Sequence, residues 1–370
     1  MYLICIELIY DRFSICNYWS FLCSIKGKYS YFLSHQIYTL AMSNTCRVCQ
    51  NQKDNNSFVI REMLYGTREE FAYFECGACK TLQISDIPHD LSPYYPSDYL
   101  GDPSTQSTID SPESSSPLRA FLRQQRVMYL LYGKNVLGKA INMLGKDYFS
   151  YGWDWFRSAG VTPNSHILEV GCGPGRLLKA MQGQGFSELT GLDPFQAWTL
   201  PGLNIKKCHL DELVGEYDFI MLHHSFEHMP DPFRALESIK RLCRSGGKIL
   251  IRIPVADCLA WKTYGVNWYQ IDAPRHLVIP SVSGMEILAK RVGLNLYKIE
   301  FDSNETQFLC SEQYGQDIPL KDARSYFRTY HGGVASTFSH EEIKQFQLKS
   351  EEVNKLGEGD QACFYFENSL

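Results

Sequence analysis

Excess positive charge is the first thing this sequence lacks: 36 Lys and Arg stand against 41 Asp and Glu in 370 residues, a formal net charge of −5. That balance gives no long-range attraction for phosphate backbones or anionic lipid, so neither nucleic acid nor a membrane is an expected partner. A long apolar run is lacking too. The stretch from Met1 to Ala41 is rich in Tyr, Phe, Cys and Ile, yet Glu7, Asp11 and Arg12 interrupt it. It falls short of the roughly 18 apolar residues of a transmembrane helix. No positive charge precedes Leu3 to Tyr10, as a secretory signal requires. An even cysteine count is also missing: 13 cysteines cannot all pair. Four of them form two C-x-x-C pairs and the rest are scattered singly, a pattern that fits a reducing compartment with one metal site. The expected location is cytoplasmic.

The length suits one large domain plus a smaller one. Met42 precedes Ser43-Asn44-Thr45-Cys46 and reads as the start of a compact module. Residues 1–41 are then an extra segment, non-native or disordered, with a membrane-touching arm as the alternative. Cys46-Arg-Val-Cys49 and Cys76-Gly-Ala-Cys79 each place two thiolates on one tight turn, and two such turns supply the tetrahedron that zinc prefers. Phe58–Ile60 and Glu70–Phe74 read as strands of a zinc ribbon over residues 42–100. Four cysteines leave no open position for water, so the expected zinc is structural. A redox dithiol and metal-free cysteines are the alternatives. Between Met42 and Leu100, five basic residues face eight acidic ones, the wrong balance for gripping phosphates. Tyr94, Tyr95 and Tyr99 follow the ribbon and either line a small-molecule pocket or pack in the core.

Residues 101–117, GDPSTQSTIDSPESSSP, cannot bury much apolar surface and read as a linker. Leu118 to Leu144 carries apolar residues at helical spacing, predicting one or two helices that open the domain at 118–370. There, His166-Ile-Leu-Glu-Val170 reads as a buried parallel strand, followed by Gly171-Cys-Gly-Pro-Gly175 and a helix from Arg176. A glycine turn between strand and helix lets backbone N–H groups approach a ligand closely. A dinucleotide site wants G-x-G-x-x-G, but Arg176 stands where its last glycine would fall. A second strand, Leu189–Leu192, ends in Asp193, a carboxylate suited to two ribose hydroxyls or to capping a helix. Further strands are expected at Ile205–Leu210, Tyr217–Leu222 and Ile249–Ile253, with a helix at Pro232–Cys243. The alternation is that of a doubly wound α/β sheet. We expect a seven-stranded, mostly parallel, Rossmann-like sheet, with Gln361–Glu367 as an antiparallel strand.

ILEVGCGPG, GLDP, YDFIMLHHSFEHMPDP and SGGKILIRIP resemble successive motifs of class I S-adenosylmethionine-dependent methyltransferases, and the likeness spans about Leu118 to Leu370. The resemblance implies S-adenosylmethionine as cofactor. It gives Glu169, Gly171, Gly173, Gly175 and Asp193 the methionine and ribose, puts Leu210 beside the adenine and His223 and His224 near the sulfonium. Methyl transfer is an in-line displacement in which the protein aligns the nucleophile and, when needed, removes a proton. Histidine is the natural base near neutral pH. The candidates, in order, are His276, His228 and His224, each with a capping or core hydrogen-bond role as its alternative.

A four-cysteine module before this domain is similar to the arrangement in deoxysugar C-methyltransferases. Ser311–Tyr314 and Gly357–Phe366 look like the closing insert and last strand of that group. The region after Asn295 is too short for the additional full domain of those enzymes. The resemblance thus implies O-, N- or C-methylation of a sugar or another small metabolite. The rivals are an rRNA methyltransferase with a zinc ribbon, disfavoured by the acidic ribbon, and a non-catalytic cofactor-binding scaffold.

Overall fold

The computed structural model describes residues 44–96, 117–144, 152–196, 198–330 and 337–369. The expectations for residues 1–41, Met42, Tyr99 and linker positions 101–116 lie outside these. Asn44–Leu370 forms one compact unit.

In chain order the elements begin with strands β1 (Asn56–Arg61), β2 (Glu70–Glu75) and β3 (Leu82–Ile84). Helices α1 (Pro117–Tyr132), α2 (Val136–Leu144) and α3 (Trp153–Ser158) follow. Next come β4 (Ile167–Val170), α4 (Arg176–Gln184), β5 (Leu189–Leu192), β6 (Asn204–Lys206) and β7 (Tyr217–His223). Then α5 (Pro232–Leu242), β8 (Cys243–Pro254), α6 (Leu259–Tyr264), β9 (Val278–Ile279), α7 (Val282–Val292) and β10 (Asn295–Phe301) occur. The chain closes with α8 (Thr306–Gly315), α9 (Tyr326–Tyr330), α10 (His340–Leu356) and β11 (Gln361–Glu367).

The main sheet has seven strands in the order β10-β11-β8-β7-β4-β5-β6. Its β4, β5, β6, β7 and β8 run parallel, while β11 is antiparallel to both β8 and β10. Period-two alternation decides what each strand gives to each face. Leu168, Ile220, Leu222, Ile249, Ile251 and Phe364 pack on one side with Leu236 and Ile239 of α5 and Met285 and Leu288 of α7. Ile167, Phe219, Met221, Leu250 and Tyr365 pack on the other with Val127 of α1, Phe156 of α3 and Leu178 of α4. This is the doubly wound α/β architecture. The third strand of the domain differs from the sequence reading: it ends at Lys206, and Leu210 lies in the turn beyond. As an edge strand paired only with β5 over Asn204–Lys206, it has no second neighbour to extend it.

The ribbon strands form a second sheet, β1-β2-β3-β9. Its fourth strand comes from the methyltransferase-like part of the chain, Leu82 pairing with Ile279 and Gln83 with Val278. The ribbon is therefore continuous with the segment that carries His276.

Candidate active site

The turn after β4 is built from glycines with positive φ: 73° at Gly171, 53° at Gly173 and 86° at Gly175. A Cβ on Gly171 would come within 2.4 Å of Ser225 Cβ, and one on Gly175 within 2.5 Å of a Leu203 methyl. Only glycine meets both the conformation and the space. Asp193, at the end of β5, bends back over this turn. Its Oδ2 accepts from Gly173 N at 2.9 Å and its Oδ1 from Phe195 N at 3.0 Å. Each oxygen thus keeps a lone pair for a further donor. Glu169 is buried beneath the loop, its Oε2 lacks a hydrogen-bond partner, and burial together with the nearby Asp193 charge pushes its carboxyl up to about 8. A buried carboxylate without a partner is costly, and a cationic ligand is the group that would relieve it. Leu210 packs, half-buried, against the core on the α5 face of the sheet.

The segment after β7 lies against the same loop: Ser225 Oγ donates to Val170 O at 2.8 Å. His223 stacks on Trp155 with ring centroids 4.5 Å apart. Burial, then the Arg252 and His224 charges, depress its imidazole to about 3, so it is neutral at pH 7. His224, at φ 51°, accepts on Nε2 from Arg252 Nη1 at 2.9 Å, and Arg252 is paired in turn with Asp302 at 2.6 Å. Guanidinium only donates, so the His224 Nε2 lone pair is already engaged. His228 and His276 differ: their rings stand 4.8 Å apart, and each Nδ1 faces a backbone carbonyl. His228 Nδ1 donates to Arg275 O at 2.8 Å and His276 Nδ1 to Gln270 O at 2.7 Å. Carbonyls only accept, which fixes the proton on Nδ1 and leaves both Nε2 atoms as acceptors. Tyr95 Oη also lies 3.2 Å from His228 Nδ1.

Two participants escaped the sequence reading. Glu227, fully buried, sits among the histidines: His224 Nδ1 is 3.4 Å and His276 Nε2 3.8 Å from its Oε1. Burial alone would raise this carboxyl, but His224, His276 and His228 hold it at about 2. The H-x-x-E-H spacing at His224–His228 was its available signal. Arg275, also fully buried, bonds Asp272 through Nε at 3.0 Å and Glu62 through Nη2 at 2.8 Å. Glu62 itself accepts from the backbone N–H groups of Leu64, Tyr65, Gly66 and Thr67. Tyr73 Oη donates to His276 O at 2.9 Å. The ribbon thereby grips the His276 segment directly.

The four cysteines of the ribbon converge. Cys46 and Cys79 Sγ are 3.6 Å apart and Cys49 and Cys76 Sγ 3.5 Å, near the roughly 3.8 Å edge of a tetrahedron with Zn–S bonds of about 2.3 Å. Gln50 and Lys80, each just after a second cysteine, adopt φ of 65° and 60°, so both turns close alike. Gln83 Nε2 donates to Cys46 Sγ at 3.2 Å and Asn51 Nδ2 to Cys76 Sγ at 3.6 Å, as suits thiolate ligands. These residues fit a zinc ion.

Residues 154–299 match the family model described as a methyltransferase domain. This stretch is similar to a methyltransferase domain. Curated relatives of it include the ubiquinone biosynthesis O-methyltransferase of Erwinia tasmaniensis, 30% identical over 109 residues, which are 26% of this chain and 44% of that protein. The protein of the same description from Dechloromonas aromatica is 26% identical over 116 residues, 26% of this chain and 48% of that one. The chain thus spans less than half the length of these relatives. Among solved structures, an S-adenosylmethionine-dependent methyltransferase from Mesorhizobium loti is 14% identical with a TM-score of 0.36, over 58% of this chain and 96% of that one. One from Archaeoglobus fulgidus is 18% identical with a TM-score of 0.36, over 60% and 100%. The family-model match covers Glu169, Asp193, the glycine loop and all four site histidines, and the buried Glu169 carboxyl, whose Oε2 has no hydrogen-bond partner, fits a cationic sulfonium cofactor.

Proposed function

We propose that the chain transfers a methyl group from S-adenosylmethionine to a small molecule, with one structural zinc in its four-cysteine ribbon. The observation that carries this reading is the glycine turn closed over by Asp193 with Glu169 buried beneath it and its Oε2 left without a hydrogen-bond partner. When bound, the cofactor supplies an electrophilic methyl on a sulfonium. The chain's own residues do the rest. The glycine turn lets the backbone approach the cofactor, Asp193 offers its spare lone pairs to ribose hydroxyls, and Glu169 balances positive charge. On the acceptor side, Nε2 of His228 and of His276 together with Glu227 make the polar pole that an incoming hydroxyl or amine meets.

The curated relatives are O-methyltransferases, and the resemblance of the ribbon points to sugars and natural-product precursors, so hydroxyl-bearing small metabolites are the favoured acceptors. The acidic ribbon, five basic residues against eight acidic ones, speaks against RNA. A location in the cytoplasm completes the reading; among the described residues, no helix is long and apolar enough to cross a membrane. The test is transfer of labelled methyl from S-adenosylmethionine to a panel of sugar and phenolic hydroxyl compounds, with ribosomal RNA as competitor. Label on small hydroxyl compounds is expected. Label on RNA alone would contradict the acceptor class, and label on nothing would favour a scaffold.

A further inference from the structure

We propose that Glu227, His228 and His276 bind one divalent first-row cation, zinc being the best fit, at a site separate from the four cysteines. A ring nitrogen of His228, a ring nitrogen of His276 and a carboxylate oxygen of Glu227 all lie within 4.8 Å of one another, with His276 Nε2 3.8 Å from Glu227 Oε1. An ion about 2.1 Å from each would bring them to roughly 3.4 Å apart, a side-chain adjustment of about an ångström. Several features make this a built site. The backbone carbonyls of Arg275 and Gln270 fix both Nδ1 protons, the outer-shell arrangement that orients metal-bound imidazole. Glu227 is fully buried and neither carboxylate oxygen has a hydrogen bond; the nearest histidine nitrogens, at 3.4 and 3.8 Å, are too long or poorly aligned. Asp272, 3.9 Å from His276 Nε2, is already committed to Arg275 and leaves the pole to Glu227.

The scaffold behind the three ligands is rigid. Leu277 N donates to Glu227 O at 2.8 Å, joining the two segments, and Tyr73 holds the His276 carbonyl. Two imidazoles and one carboxylate leave coordination positions open, as catalytic zinc sites do and four-cysteine sites do not. Ser225, two residues before Glu227, is the side chain that a Cβ on Gly171 would strike, so the cluster stands beside the cofactor loop. The open position would take the oxygen of a hydroxyl acceptor. That last assignment rests on the methyltransferase reading, whereas the ion site does not.

The test counts metal in the full chain after equilibration with Zn²⁺ and removal of the excess. Two zinc ions per chain are expected in the native sequence, and one in Glu227→Gln and in His228→Asn, with folding checked by circular dichroism. Cobalt substitution of the native chain gives the same answer without a variant. It should fill in two phases, one with thiolate charge-transfer bands and one without them. A single zinc per chain that both variants retain, or a cobalt titration with only thiolate character, would overturn the proposal. Neither readout depends on methyl transfer, so a failure here is distinct from a failure of cofactor binding.

Discussion

Glu169 is the residue on which cofactor chemistry and proton linkage meet. Its carboxyl stands at about 8 against an ordinary 4.5, so it carries a proton at pH 7. Between those two values the unfolded chain loses the proton first, and this group's contribution to stability falls as pH rises. A cationic ligand above it favours the ionised form. Binding of S-adenosylmethionine near pH 7 should then release up to about one proton from Glu169. Calorimetry in two buffers of different ionisation enthalpy would read that release, and Glu169→Gln should remove it. Equal heats in both buffers would show that Glu169 does not meet the cofactor's charge. Gly171 offers a steric counterpart. Gly171→Ala places a Cβ 2.4 Å from Ser225 Cβ at a φ of 73°, and strain of about 1–3 kcal/mol should weaken cofactor binding about 5- to 150-fold by calorimetry.

Among the elements, β9 has the largest consequence for its size. Two residues long, it joins the ribbon sheet to the segment carrying His276, and Ile84 N reaches past it to Leu277 O at 3.0 Å. Ser281 Oγ donates to Cys79 O, and Arg291 Nη1 to Val48 O at 2.6 Å, so both cysteine turns are fastened to the main domain. Stripping metal from the ribbon should therefore loosen more than the ribbon. Hydrogen exchange after chelation is expected to speed up at Ile84 and Leu277 as well as in the cysteine turns; acceleration confined to the turns would contradict this. Arg275 locks the same junction. Arg275→Ala would leave Glu62 and Asp272 buried with an uncompensated charge, and about 3–5 kcal/mol of stability should be lost, read as a lower denaturant midpoint at unchanged slope. A loss below about 1 kcal/mol would mean that water reaches the pair.

For the whole molecule, what was legible in the sequence is what local pattern encodes. The β4 strand, its glycine turn and Asp193 form a contiguous signal, and β11 was legible through the likeness of Gly357–Phe366 to the last strand of the sugar methyltransferase group. The four cysteines read directly as a metal cluster because two C-x-x-C turns are self-contained. Long-range pairing was less legible. A strand as short as Val278–Ile279 carries no period, and nothing in the sequence says that Leu82 is its partner. Beyond the H-x-x-E-H spacing around it, nothing local marks Glu227 as buried, and only the fold, by bringing the His276 segment over it, buries it. Arg275 was hidden for the same reason: Asp272 is three residues away, but its other partner, Glu62, lies 213 residues upstream. The histidines were visible as a group, but the hydrogen bonds that engage His224 and free the Nε2 atoms of His228 and His276 depend on Arg252 and two backbone carbonyls.

The measurement closest to the central claim is titration of S-adenosylmethionine into the full chain, beside Asp193→Ala, by calorimetry. Micromolar binding by the native chain, weakened at least a hundredfold in the folded variant, roughly 2.7 kcal/mol, is the predicted result. A folded, metal-loaded chain that does not bind the cofactor, or binds it equally well without Asp193, would contradict the account.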